Sequence, residues 1–129
     1  MTQLLRSAAY FPVADVKQSA SYYERVLGFH CDYVTGTPPE FAILSRDGLS
    51  IMLRHVARPG DIRPNEAQGG TWDVFFWVTD VRALHRELLA KGADVVYGPT
   101  VQDAYNMEEF AVLDREGYVL GFGQPLDQG

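Results

Sequence analysis

The sequence predicts an α+β protein: two βαβββ repeats forming a curved mixed sheet with the helices outside. Three observations carry this reading. The nonapeptide EFAILSRDG starting at Glu40 returns as EFAVLDREG starting at Glu109. The pentapeptide PVADV at 12–16 has an echo in WVTDV at 77–81. In both places a mostly apolar run comes before and a helical pattern follows. An internal repeat of this kind fixes architecture, because a module of about 55 residues buries too little of its sheet alone and two side by side bury more. The expected organisation is a first module over 1–58, a linker over 59–71 and a second module over 72–126, together one domain.

Each element follows from local chemistry. AAYFPV reads as a short strand. Asp15 is placed to cap a helix whose apolar positions Val16, Ala20, Tyr23 and Leu27 recur at helical spacing, and Gly28 supplies the left-handed residue that ends it. FHCDYV, PPEFAILS and LSIMLRHV read as strands, the last two joined through the tight-turn pair Asp47 and Gly48. The stretch RPGDIRPNEAQGG has the proline and glycine content of a linker. In the second copy TWDVFFWV is a strand, Asp80 caps a helix carrying Val81, Leu84 and Leu88, and Gly92 ends it. ADVVYG is a strand and PTVQDAYN a loop. MEEFAVLD and YVLGFGQ form a hairpin around Glu116 and Gly117.

Composition narrows the function. The 129 residues are 47% hydrophobic and 22% charged, with a formal net charge of −6. That surface repels phosphate backbones and shows no basic stripe, so no nucleic-acid partner is expected. No run reaches the ~18 apolar residues that span a bilayer, and the start lacks a secretory apolar core, so no membrane partner and a cytoplasmic location are expected. The lone Cys31 allows no internal disulfide and reads as an inert thiol.

The motifs PVADVKQSASYYERVLGF, FAILSRDGLSIML and FAVLDREGYVLGFGQ, which place the similarity over roughly residues 5 to 124, resemble the vicinal oxygen chelate superfamily. That superfamily includes glyoxalase I, extradiol dioxygenases and the fosfomycin- and bleomycin-resistance proteins. The resemblance implies the glyoxalase/bleomycin resistance fold, and one fold of this kind hosts many activities. It also implies four metal-ligand positions, on the first and last strands of each copy, filled in the metal enzymes by His, Gln or Glu. In this sequence those positions hold Ala8, Met52, Asp73 and Gly121. Ala and Gly offer no side-chain ligand, a thioether suits soft ions only, and one carboxylate is short of the roughly three protein ligands of a catalytic site. His55 has the helix-covered parity of Ile51 and Leu53, His85 sits on a helix expected outside, and His30 lacks a nearby His or Glu at ligand spacing. The resemblance is therefore to a metal-free branch in the style of the bleomycin-resistance binding proteins, with no cofactor and no bound metal.

Strand parity then predicts a cup lining. Tyr10, Met52, Arg54, Asp73, Phe75 and Trp77 share one face with Gly121 and Gly123, which leave room beside them. Phe11, Val13, Ile51, Leu53, Val74, Phe76, Val78, Leu120 and Phe122 take the opposite face, under the helices. Trp72 has the parity opposite to Trp77 and is expected to matter less. In the bleomycin-resistance proteins the segment matching QDAYNMEE helps form the ligand crevice, which adds Tyr105 and Met107. The alternative is a closed interior filled by ordinary core aromatics, with Asp73 and Arg54 paired to each other.

The expected function is a small-molecule binding protein that sequesters a planar or cationic ligand, in the manner of antibiotic resistance, with no catalytic residue. The alternative is a lyase, an isomerase or a dioxygenase-like enzyme using Asp73. A homodimer is expected because the resembled proteins of this size pair.

Overall fold

The computed structural model describes residues 2–127 and carries the expected α+β order twice. The first copy is β1 (Ala8–Val13), α1 (Val16–Arg25), β2 (His30–Thr35), β3 (Phe41–Arg46) and β4 (Leu49–His55). The second is β5 (Val74–Trp77), α2 (Val81–Ala90), β6 (Asp94–Gln102), β7 (Met107–Leu113) and β8 (Val119–Pro125). The strands make two four-stranded mixed sheets, ordered β1-β4-β3-β2 and β5-β8-β7-β6. In each sheet the first strand of the copy runs parallel to the last, and the other pairings are antiparallel. The chain divides into two compact units, Met1–Ile62 and Arg63–Gly129. Two short 3-10 turns, Pro59–Asp61 and Asn65–Gln68, occupy the proline-rich stretch between β4 and β5.

The local signals act as their chemistry requires. Asp15 accepts the Gln18 N–H at 2.9 Å and Asp80 accepts the Ala83 N–H at 3.0 Å, so each helix has its first turn capped. Between β3 and β4, Asp47 and Gly48 have φ of 54° and 82°. Two positive φ values in a two-residue loop define the type I′ turn whose twist matches a hairpin. This turn sets the register Arg46 to Leu49, and hence Phe41 to Arg54.

Two boundaries differ from the sequence reading. β5 starts at Val74, so Trp72 lies before the strand rather than in it. β6 continues to Gln102 through residues expected to form a loop. It does so by a bulge: Tyr97 pairs with Ala111 and Thr100 with Glu109, leaving Gly98 and Pro99 as extra residues opposite Phe110. A proline fits there because a bulge asks no ladder bond of it. Gly98 is required by closeness as well as by its φ of 84°. A Cβ there would meet the Glu109 carbonyl and approach Phe110 Cα to 2.9 Å.

Each unit has its core on the helix side of its sheet. In the first, Phe11, Val13, Ala42, Leu44, Ile51 and Leu53 are buried, as are Val16, Ala20, Tyr23 and Leu27 of α1. In the second, Val81 and Leu88 of α2 are buried, together with Phe110, Val112, Leu120 and Phe122 of β7 and β8. Phe122 stacks between Phe76 and Phe110, with centroids 5.4 and 5.2 Å away, and His85 of α2 meets the Phe110 ring edge-on at 5.2 Å. The parity expected for β1, β4, β5 and β8 is thereby the observed one.

Candidate ligand-binding faces

A strand with one face under a helix turns its other face outward, and residues paired across strands share a face. In the first sheet Tyr10 pairs with Met52, Met52 with Ile43, and Ile43 with Tyr33. The next row runs Pro12, Arg54, Phe41, Thr35. This open face is aromatic. Phe41 lies edge-on to both Tyr10 and Tyr33, each pair with centroids 6.3 Å apart. Tyr10 is 56% exposed, and the Arg54 guanidinium stands over its ring at 5.7 Å. That distance is within the ~6 Å reach of a cation–π contact.

The open face of the second sheet follows the same logic. One row is Phe75, Gly121, Ala111, Tyr97 and the next Trp77, Gly123, Glu109, Thr100. Here the expectation about glycines is corrected. The room above them is filled by the unit's own side chains. A Cβ at Gly121 would lie 2.6 Å from Trp72 Cδ1 and 2.7 Å from Phe75 Cδ2, and one at Gly123 would meet Met107 Cε and, at 2.6 Å, Phe75 Cζ. The glycines let large side chains approach the sheet closely rather than leaving a hole.

Trp72 is the second correction. Standing outside β5, it escapes the strand's alternation, and its indole folds onto the open face. Its ring meets Phe75 at 4.8 Å, and Phe75 meets Trp77 at 5.1 Å, both edge-to-face. The Trp72 Nε1–H donates to the Tyr97 hydroxyl at 2.9 Å. Trp77, at the outer end of this run, is 67% exposed.

Asp73 is tied down by backbone. Its Oδ1 accepts the Asn65 N–H and its Oδ2 the Val119 N–H, both at 2.8 Å. It fastens the stretch before β5 to the start of β8, so both oxygens are occupied. Tyr105 lies in the turn between β6 and β7, and its hydroxyl donates to Glu109 Oε1. Met107 is buried against Gly123.

Of the residues anticipated from sequence, Tyr10, Met52 and Arg54 share the first open face, and Phe75 and Trp77 share the second with Met107. Tyr33, Phe41, Trp72, Tyr97 and Glu109 were not anticipated. The two-residue turn carries Phe41 to the side of Arg54, so Phe41 was within reach of the sequence, whereas a like turn at Glu116–Gly117 would have paired Glu109 with Gln124, and only the longer loop over 114–118 brings it opposite Gly123. Among the described residues, no three His, Cys, Asp or Glu side chains are grouped to hold a metal ion, and no helix is long and apolar enough to cross a membrane.

Two βαβββ units, each with an aromatic open face, define the architecture of small proteins built by module duplication. Residues 5–122 match the model of the glyoxalase/bleomycin resistance protein/dioxygenase superfamily, and the chain belongs to that superfamily. No curated protein matches it. Among solved structures, TioX from Micromonospora sp. ML1 is similar at 23% identity with a TM-score of 0.74, over 94% of this chain and 98% of that one. TnmS3, an antibiotic binding protein from Streptomyces sp. CB03234, is similar at 22% identity and a TM-score of 0.70, over 98% and 99%. The bleomycin-binding protein of Streptomyces verticillus, complexed with copper(II)-bleomycin, is similar at 21% and 0.67, over 98% and 100%. At these identities the likeness is one of fold.

Two predictions follow from the bonds of this face. Asp73→Ala leaves the Asn65 and Val119 amides without their acceptor and should destabilise the protein by roughly 1.5–3 kcal/mol or more, read from urea unfolding. A loss below ~0.5 kcal/mol would show that the anchor carries no stability. The Tyr105 phenol is pushed up to about 12 from an ordinary 10.0, by desolvation of its hydroxyl end first and then by the hydrogen bond and charge of Glu109. A phenol that holds its proton more tightly folded than unfolded contributes stability fully below pH 10, and the contribution is lost as pH rises toward 12. Wild type should therefore lose more stability over that interval than Tyr105→Phe does, and parallel alkaline unfolding curves would contradict the assignment.

Proposed function

We propose that this protein binds a planar, partly aromatic small molecule on its open sheet faces, without a metal and without breaking a bond. The observation that carries the reading is the run Trp72, Phe75, Trp77: three rings in edge-to-face contact, the outermost 67% exposed. Aromatic surface grouped this way presents stacking area to a flat ligand and is a poor thing to leave in water. The first unit offers Tyr33, Phe41 and Tyr10 with the Arg54 cation beside them, the same kind of surface. Two similar structures bear names that state antibiotic binding. They support a small-molecule ligand of that general kind, and sequestration as the means of resistance.

Metal independence is supported by Ala8, Met52 and Gly121 at three of the four positions where the superfamily's metal enzymes hold ligands. The enzymatic alternative has less behind it. Asp73, its base, accepts a backbone N–H on each oxygen, a role in holding the start of β8 that accounts for the carboxylate without catalysis. A cytoplasmic binding protein with no cofactor, paired with a second copy of itself, completes the reading.

A thermal-shift screen of planar aromatic compounds tests it, because a ligand that binds only the folded state raises the melting temperature. Hits should quench tryptophan fluorescence, and Trp77→Ala should weaken them by roughly 1–3 kcal/mol, the range of aromatic stacking anchors. A screen in which nothing stabilises the protein, or hits indifferent to Trp77→Ala, would overturn it. Light scattering should give twice the chain mass of 14.4 kDa, and a value of 14.4 kDa would refute the pairing.

A further inference from the structure

Glu109 is the buried charge of the second open face. It is 1% exposed, yet it belongs to the row that holds Trp77 and Gly123 rather than to the core beneath α2. Its neighbours Glu108 and Phe110 point the other way by alternation, and Phe110 packs on His85 of α2. Glu40, which opens the matching nonapeptide of the first copy, is exposed. The same motif therefore places one carboxylate in water and seals the other.

Donors and acceptors around Glu109 do not balance. Oε1 accepts from the Tyr105 hydroxyl, while Oε2 is buried and accepts no hydrogen bond. The nearby indole N–H of Trp72 is already given to the Tyr97 hydroxyl. Burial first, then the charge of Glu109 and hydrogen bonding to its carboxylate, push the Tyr97 phenol up, so that hydroxyl is a second neighbour of the carboxylate, while Oε2 itself still has no partner within hydrogen-bond geometry. A buried acceptor without a donor is costly, and the great majority in folded proteins are satisfied. By strand pairing it belongs to the face that carries Phe75 and Trp77, in a residue that is 1% exposed. Tyr105 reaches Glu109 with its hydroxyl while 48% of the residue is exposed, and it stands in a turn rather than a strand.

We propose that Glu109 is the recognition point for a cationic nitrogen bearing N–H, carried by the planar ligand that rests on Trp72, Phe75 and Trp77. The inference deepens the binding reading above and rests on it. The ligand's N–H donates to Oε2, its positive charge meets the carboxylate, and its ring lies along the aromatic run. Tyr105 keeps Oε1 and acts as the movable cover. An ammonium or amidinium group suits the place twice over, since a cation is also attracted to aromatic faces. A neutral planar compound would stack without satisfying Oε2. An anion would be repelled by Glu109 and by a chain whose net charge is −6.

The probes are 9-aminoacridine, a flat cation with N–H donors, and acridine, a ring system of the same outline that is neutral and without N–H at the working pH, titrated by calorimetry at pH 7.5. Wild type should bind 9-aminoacridine about tenfold or more tightly than acridine. Glu109→Gln keeps the shape and removes the charge. It should abolish that preference. Tyr105→Phe, which removes the competing donor from Oε1, should tighten 9-aminoacridine severalfold relative to acridine, and it decides the matter if Glu109→Gln does not fold. Equal affinity of wild type for the two probes, a preference that survives Glu109→Gln, or cation binding unchanged or weakened in Tyr105→Phe would overturn the proposal with the binding reading intact. Binding of neither probe at millimolar concentration, in a protein whose screen also yields no stabilising compound, would remove both.

Discussion

Each unit has four strands and a single helix, and one helix covers one face of a sheet. This constraint organises the rest. Side chains alternate along a strand, so every strand supplies a set for the helix and a set for the other side. The helix set has a buried apolar centre, Val13, Ile51, Leu53, Leu44 in one unit and Phe110, Val112, Leu120, Phe122 in the other, with polar members such as Glu108, paired to Arg82 of α2, at its margin. The other set is where the chemistry lies, because it has no helix to satisfy. A one-residue slip would exchange the two sets, driving Arg54 beneath α1 and Glu109 beneath α2. The cost of burying those charges against aliphatic side chains holds the register.

The two open faces are related by duplication yet differ in charge. Tyr10 and Phe75 occupy matching places, as do Met52 and Gly121. The first face is capped by a cation, Arg54 over Tyr10, while the second encloses an anion, Glu109. The difference arises from small backbone events rather than from the repeated motif. The bulge at Gly98 and Pro99 carries Tyr97 opposite Ala111, and the turn after β6 brings Tyr105 back onto Glu109. Both copies have a shift early in the strand after the helix, Cys31 to Tyr33 and Val95 to Tyr97, but the first lacks the second bulge, and its Glu40 lies outside the strand at its start.

These same events mark the limit of what the sequence disclosed. Helix caps, the type I′ turn and strand parity were legible because each is a local rule acting on a few neighbouring residues. Asp15, Asp80 and the Asp47–Gly48 pair behave as those rules require. Trp72 was misread because alternation was extended one turn of chain beyond the strand that enforces it. The glycines of β8 were read as space, while the aromatics that fill the space come from Trp72 and Phe75 on β5 and its approach, a distance of nearly fifty residues in sequence for Gly121. Glu109 was hidden because the loop over 114–118, longer than the turn pair Glu116 and Gly117, is what brings it opposite Gly123, and its hydroxyl partner Tyr105 comes from the turn before β7, which no spacing rule supplies. Asp73 was read as a carboxylate of the cup lining, and the structure gives it two backbone N–H partners. Its two backbone partners depend on the 3-10 turn at Asn65–Gln68, which read only as linker.

The central claim is that the open face of the second sheet is a ligand face with a charged end at Glu109. A crystal structure of the protein soaked with 9-aminoacridine tests it most directly. The account predicts the ring system against Phe75 and Trp77, with its amine nitrogen about 2.7–3.2 Å from Glu109 Oε2 and Tyr105 still on Oε1 or swung outward. Density for the ring on the helix side of either sheet, or on this face with the amine turned to solvent and Oε2 still without a donor, would contradict it.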